Sequence, residues 1–358
     1  MDNQQPAQRK SSKPVIGITH GNINGVSYEI LIKTFSDSRI FDFFTPVVYG
    51  SSKVASYHRK VLKREDFSFN LVKKPDFANA RRANIINITD NEIRIEMGRQ
   101  TEEAANMSIL ALDNAFHDIM AGGLDALVSL PVGSKPFKLA KTRFRDFDDY
   151  LLASLKADDT LLFIVNDFIK IGFVTGHIPF KNIAESVTEE MVHKRIGQMH
   201  ESLVVDFGVP SPRIAVLSLN PHCEVLNETG EEEKVQLIPA IKKAVEAGLE
   251  VHGPYAPDRF FGSGDYKKFD GILALYHDQG LLPFRTISDD YGVLYYSGLP
   301  CVVTQPAQES SLELAGKGEF SPDAARNAMV LAARIVENQR RYAHDFAQSP
   351  VSIHSEDK

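Results

Sequence analysis

Short, almost unbroken apolar runs alternate along this chain with longer segments of helical periodicity, and that alternation limits the fold more than any other feature. The runs are Pro14–Thr19, Pro46–Tyr49, Asn84–Ile88, Ala126–Leu130, Leu161–Val165, Ile169–Thr175, Ile214–Leu219, Gly271–Tyr276 and Cys301–Thr304. A strand with one wet face alternates apolar and polar residues, so strands without a polar face must be covered on both sides. Helical periodicity marks Tyr28–Thr34, Glu102–Ala121, Glu189–Asp206, Glu231–Ala247 and Pro322–Arg341. The last opens on Ser321-Pro322-Asp323, which offers a cap hydroxyl, a proline for the first helical position and an acid for the first turn. Together these patterns predict an α/β fold with largely parallel sheets. In such folds ligands sit beyond the carboxyl ends of the strands.

Composition narrows the class. A chain of 358 residues is long enough for two domains or one large α/β unit. Two cysteines, Cys223 and Cys301, exclude a disulfide framework and fit a reducing, cytoplasmic setting. A net charge of −7 argues against a nucleic-acid or anionic-membrane partner. No run of about 18 apolar residues occurs, so no membrane span is expected. Met1 to Lys13 is polar and reads as a disordered tail rather than a signal peptide, and residues 346–358 read as a second tail.

The contrast of eleven histidines with two cysteines points to nitrogen rather than sulfur for any transition metal. Three apolar runs end in a histidine. Ile169–Thr175 leads into Gly176-His177-Ile178-Pro179, Ile214–Leu219 into Asn220-Pro221-His222, and Gly271–Tyr276 into His277-Asp278-Gln279-Gly280. The gaps of 45 and 55 residues each allow a strand–helix crossover, so the three imidazoles can converge on one sheet edge or one subunit interface. Three neutral imidazoles with an open position suit a divalent metal in a catalytic role. Asp278 can orient a ligand or hold a nearby proton. Each histidine taken singly also fits a hydrogen-bonded loop residue. His193 and His200, seven apart on one helix, read as a solvated or interface face, and His20, His58 and His117 share no such placement.

Several strings, in order along nearly the whole chain, resemble the PdxA family of 4-hydroxythreonine-4-phosphate dehydrogenases. They are Gly17-Ile18-Thr19-His20-Gly21-Asn22-Ile23-Asn24-Gly25 with Glu29, Gly176-His177-Ile178-Pro179, Leu219-Asn220-Pro221-His222 and Tyr276-His277-Asp278-Gln279-Gly280-Leu281. Gly253-Pro254 with Asp258 and Phe261, then Gly298-Leu299-Pro300 with Thr304, then Leu312-Glu313-Leu314-Ala315-Gly316-Lys317-Gly318, complete the match. The resemblance implies a homodimer of two-domain, three-layer α/β/α subunits, similar to isocitrate and isopropylmalate dehydrogenases, with the active site in the interdomain cleft. It implies a first domain of residues 14–140 plus 300–345 and a second of 141–299. It also implies a divalent metal (zinc, magnesium, manganese or cobalt) on His177, His222 and His277. NAD or NADP would be the oxidant of a phosphorylated 3-hydroxy acid, in pyridoxal phosphate biosynthesis. Asp278 and Asp258 then fall near the metal as catalytic candidates, Arg285 and Asp148 on the substrate, and Asn220 and Glu313 on the cofactor.

The chain departs from that family at the substrate. Where relatives carry Gly-His-Thr-Glu, thirty residues before the first metal histidine, this sequence reads Asp146-Phe147-Asp148-Asp149. The family's Lys, Asn and Arg align with Arg285, Leu294 and Val303, and only Arg285 keeps a cationic donor. The loop after His222 reads Cys223-Glu224-Val225-Leu226-Asn227 in place of a glycine-rich turn. Each lost charge-assisted hydrogen bond removes roughly 1.5–3 kcal/mol of binding. Two functions therefore stand side by side: the family's metal-dependent dehydrogenase–decarboxylase, and a paralogue that keeps fold and metal but has another substrate or no dehydrogenase reaction.

Overall fold

The computed structural model describes residues 13–221, 223, 230–288, 291–308 and 311–348. The chain groups into two compact units, Met1–Arg143 with Ser310–Pro322, and Phe144–Glu309 with Asp323–Lys358.

The first unit runs β1 (Val15–Thr19), α1 (Ser27–Phe35), β2 (Thr45–Gly50), α2 (Ser52–Val61), β3 (Asn70–Leu71), β4 (Asn84–Asn87), α3 (Glu102–Met120), β5 (Ala126–Ser129) and α4 (Lys135–Leu139). Its strands lie in the order β3-β4-β2-β1-β5, and every pairing is parallel. All five residues of β1 and all six of β2 are buried, as runs without a polar face require. Helix α3 packs on β1, β2 and β5. Its start is set locally: the Thr101 side chain accepts from the Ala104 amide, and Glu102 and Glu103 occupy the first turn.

The turn after β1 is built closely. Gly21 has φ +67°, and a Cβ there would stand 2.8 Å from Ser27 Oγ and 2.9 Å from the Pro131 carbonyl oxygen, so only glycine fits. His20 before it is fully buried, and among the described residues neither ring nitrogen has a partner in good hydrogen-bond geometry. Its ring stacks on Tyr28, which stacks on His58. Glu29 on α1 is also buried. It pairs with Lys33 at 2.8 Å and accepts from the amides of Gly318 and Phe320, which fastens residues 318–320 onto α1.

The second unit runs α5 (Phe147–Leu155), β6 (Leu161–Val165), β7 (Lys170–Phe173), α6 (Ile183–Ser186), α7 (Glu189–Val205), β8 (Ile214–Leu217), α8 (Ile238–Glu246), β9 (Val251–Tyr255), α9 (Pro257–Gly262), β10 (Gly271–Ala274), α10 (His277–Ser288), β11 (Val293–Ser297), β12 (Val302–Pro306) and α11 (Asp323–Gln348). Its strands lie in the order β12-β11-β6-β7-β10-β8-β9. The pairings β7–β10, β10–β8 and β8–β9 are parallel, while β12–β11, β11–β6 and β6–β7 are antiparallel. The antiparallel pairings β6–β7 and β11–β12 follow from short connections, which have too few residues for a crossover. In that turn Asn166 Oδ1 accepts from the amides of Phe168 and Ile169.

Two helices cover opposite faces of this sheet. A Cβ on Gly172 or on Gly271 would press into Met199 of α7, whereas a Cβ on Gly280 of α10 would meet Ile171 and Phe173 at 2.8 Å. Adjacent strand residues point to opposite faces, so α7 and α10 lie on different sides of β7. On the α10 side Ile171, Phe173, Leu217, Ile272, Ala274 and Phe284 form a continuous buried cluster.

Residues 300–309 and 323–345, expected with the first domain, group with the second unit. The physical reason is pairing. β12 runs antiparallel to β11, and α11 packs on both strands, with Thr304 Oγ1 donating to the Ala328 carbonyl at 2.9 Å.

Candidate active site

The expected histidines follow the carboxyl ends of β7 and β10. The ladder continues past both strands through Val174 N to Ala274 O and Thr175 N to Leu275 O, which keeps the two chains side by side up to the histidines. The rings of His177 and His277 then face each other, with centroids 4.8 Å apart and planes inclined by 46°. His277 is the first residue of α10 and also lies against Phe173. Its Nδ1 is 2.8 Å from Asp278 Oδ1, so Nε2 is the ring nitrogen left for a further partner.

Two imidazoles bound tetrahedrally to one ion have centroids about 5 Å apart, given a metal–nitrogen distance of about 2.1 Å. The His177–His277 separation fits that, and the Asp278 contact is the kind that orients a ligating imidazole. His222, the third expected ligand, lies outside the described residues, as do Glu224 to Asn227 of the loop beyond it. Among the described residues no group of three or more metal-type side chains converges.

Sequence reading missed the residue that joins the strand ends. Gln279 is buried, and its Oε1 accepts from the Leu275 amide while its Nε2 donates to the Ser218 carbonyl, both at 2.7 Å. One side chain thus couples the ends of β10 and β8. Its only signal was its position inside the string His277-Asp278-Gln279-Gly280.

Asp148 stands beside the histidine pair, with Oδ2 3.9 Å from His177 Nδ1. Its Oδ1 accepts from Tyr296 Oη at 2.9 Å. Desolvation pushes its carboxyl above the usual range, and the Tyr296 hydrogen bond opposes that rise. Phe147 is buried with its ring centroid 5.7 Å from that of Tyr296. Val303, the register partner of Tyr296 across the β11–β12 ladder, is fully buried. Leu294 packs against the α10-side core. These three positions therefore carry packing, and Tyr296, unmarked by any motif, carries the polar contact.

The other candidates are less gathered. Arg285 is exposed on α10 with Nη2 3.1 Å from the Ala307 carbonyl, and Asp258 is exposed in the first turn of α9. Asn220 spends its side-chain amide on Glu232 and Glu233 at 2.9 and 2.8 Å, while Glu233 also accepts from the amides of Leu219 and Asn220. Glu313 is exposed in the first unit. A carboxylate such as that of Glu313 suits ribose hydroxyls and not a pyrophosphate, and the amide of Asn220 is already engaged, so these two residues alone make no dinucleotide cradle.

The sequence pattern of the family described as "Pyridoxal phosphate biosynthetic protein PdxA" matches residues 42–332. The chain belongs to the PdxA family. A PdxA relative, the 4-hydroxythreonine-4-phosphate dehydrogenase of Bacteroides thetaiotaomicron, is 39% identical over 333 residues, which are 93% of this chain and 91% of that protein. Another, from a Sulfurihydrogenibium species and of the same name, is 30% identical over 319 residues, 88% of this chain and 97% of that one. A crystal structure of a PdxA-type 4-hydroxythreonine-4-phosphate dehydrogenase from Klebsiella pneumoniae shares the fold with a TM-score of 0.78, at 22% identity, over 92% of this chain and 99% of that one. These PdxA relatives are oxidoreductases by name, and no helix among the described residues is long and apolar enough to cross a membrane.

Proposed function

We propose that the chain is a divalent-metal-dependent oxidoreductase of the 4-hydroxythreonine-4-phosphate dehydrogenase type. It oxidises the 3-hydroxyl of a phosphorylated hydroxy acid with NAD or NADP, and the resulting β-keto acid loses carbon dioxide. The observation that supports this reading is the facing pair His177 and His277, with Asp278 on one ring, in a chain 39% identical to a relative of that name. His177, His222 and His277 would hold zinc, magnesium, manganese or cobalt; the bound ion would polarise the hydroxyl and stabilise negative charge on that oxygen, while the nicotinamide takes the hydride.

The chain's own residues have distinct tasks in this reading. Asp278 holds His277 in one orientation, and Gln279 fixes the spacing between the ends of β8 and β10. Asp258 serves near the metal. Arg285 offers its guanidinium to the substrate phosphate. Asp148 meets the polar end of the substrate, and Asn220 and Glu313 meet the cofactor's sugar hydroxyls. The working form is a soluble cytoplasmic homodimer.

A second reading is favoured by one observation. Phe147 is packed against Tyr296 where relatives place a substrate histidine, and Asp148 brings a carboxylate beside His177. A carboxylate there repels an anionic substrate, which suits a paralogue with the same metal site and another substrate.

One assay set separates these readings. Purified protein is loaded with each of the four metals, and absorbance at the reduced-nicotinamide band is followed with 4-phosphohydroxy-threonine and NAD or NADP. Turnover supports the first reading. Metal bound at about one ion per protomer, lost in His277→Ala, but without turnover supports the second. No metal binding overturns both.

A further inference from the structure

The chain that leaves β8 is held by a buried carboxylate. Glu233 is fully buried and opens a π-helical turn, Glu233–Leu237, that leads into α8. Its Oε1 accepts from the amides of Leu219 and Asn220, and its Oε2 accepts from Asn220 Nδ2, each at 2.8 Å. Among the described residues every partner of this side chain is an N–H donor, so both oxygens must accept. Glutamate meets that demand and glutamine does not. The fit is close: a Cβ on Gly230 would stand 2.5 Å from Glu233 Oε2 and would collide with Asn220 Nδ2. Burying a carboxylate is costly, and apolar packing would fasten a strand end at less expense.

What the carboxylate holds is one half of a shared group. The Ser218 carbonyl and the Leu219 amide belong to a single planar peptide unit. Glu233 grips that unit by its N–H at 2.8 Å, and Gln279 Nε2 grips it by its oxygen at 2.7 Å. Ser218 Oγ donates to the Asn220 carbonyl at 2.7 Å and closes the turn between them. Gln279 Oε1 in turn accepts from the Leu275 amide at 2.7 Å. Hydrogen bonds in series polarise one another, most strongly where water is excluded, and Ser218 and Gln279 are both buried. His277 stands between Leu275 and Gln279, two residues from each. A continuous run of contacts thus leads from Glu233 to the backbone on both sides of His277.

We propose that Glu233 is a positioning residue for His277, acting through the Ser218–Leu219 peptide and Gln279. Its effect on the His277 ring needs no metal, whereas its effect on metal affinity rests on the proposed function. Glu233→Gln keeps the volume and one acceptor but sets an NH2 group against Asn220 Nδ2, so the peptide unit loses its fixed hold. Gln279→Leu cuts the same path further along. Two substitutions on one path are not additive, which gives the proposal a signature that a general loss of stability does not share.

The test uses the full chain in two states. In metal-free protein the nitrogen NMR signals of the histidine rings are recorded, that of His277 being identified by its loss in His277→Ala. Glu233→Gln should move the His277 signal, and should leave it in place when Gln279→Leu is already present. With cobalt or zinc titrated against a metal-sensitive dye, Glu233→Gln should weaken binding roughly tenfold, the scale of a lost ligand-orienting contact. In the Gln279→Leu background the same substitution should change affinity by less than about twofold. An unmoved His277 signal in a folded Glu233→Gln variant overturns the proposal, as does an equal shift, or an equal loss of metal affinity, in both backgrounds. A wild-type chain that binds no metal removes the proposed function, and the ring signal then decides the role of Glu233 alone. Folding is checked by circular dichroism. Should Glu233→Gln not fold, Glu233→Asp, which keeps the carboxylate but shortens its reach, undergoes the same measurements with the same outcomes.

Discussion

Gln279 Nε2 donates to the Ser218 carbonyl at 2.7 Å and so ties the end of β8 to the start of α10, whose first residue is His277. Its Oε1 is held by the Leu275 amide. In Gln279→Leu both backbone groups lose their partner while the volume is kept. Each orphaned group costs about 1–3 kcal/mol. The variant should unfold at lower urea and bind divalent metal more weakly, read by equilibrium denaturation and by competition with a metal-sensitive dye. Unchanged metal affinity in a folded variant would refute the positioning role.

The histidine pair makes a graded prediction. His177→Ala and His277→Ala should each remove most bound metal, measured as ions per protomer after gel filtration. Asp278→Asn, which keeps the shape but weakens the hold on His277 Nδ1, should lower affinity by about 10- to 100-fold. If Asp278→Asn matches wild type while the histidine variants fail, the carboxylate does not orient the ligand.

His20 gives the first unit a pH dependence with a definite sign. Burial holds its folded-state pKa at about 4, against 6.5 when unfolded. Between those values the unfolded chain takes a proton that the folded chain refuses. Stability from this group is therefore complete above pH 6.5 and declines as pH falls to about 4, by about 3 kcal/mol at most. His20→Phe keeps a ring to stack on Tyr28 and should show a flatter urea midpoint between pH 7 and pH 4.5. An equal slope in both proteins would remove His20 as the cause.

Gly253 should tolerate no side chain. It has φ +133°, and an added Cβ would collide with the Val216 carbonyl at the bulge where β8 and β9 shift register. Gly253→Ala should be destabilised by about 3 kcal/mol or more, since both strain and a backbone clash act. A midpoint equal to wild type would contradict the geometry.

Much of the α/β plan was legible because strands buried on both faces leave no polar alternation, and nine such runs coincide with strands here. What escaped reading has physical causes. The run Val293–Ser297 is β-branched and aromatic between Gly292 and Gly298, yet its tyrosines hid its apolar character. Helix α10 carries Gly280 and Pro283, both poor helix formers, and only the close approach to Ile171 and Phe173 explains the glycine. The segment at Asp146 reads as a departure from the family's substrate string. Locally it is a helix start, with the Asp146 carboxylate accepting from the Asp149 amide at 3.0 Å. The histidines could be picked out because each follows an apolar run. Tyr296 could not, since a hydrogen bond 148 residues away exists only in three dimensions.

Helix α10 opens on His277 and closes on Ser288, which lines a cavity of about 570 Å³ in the second unit. Its twelve residues span about 18 Å. An ion held at one end and any ligand lodged in the cavity at the other would share this single lever. Whatever factor the first imposes on the affinity of the second, the second must impose on the first.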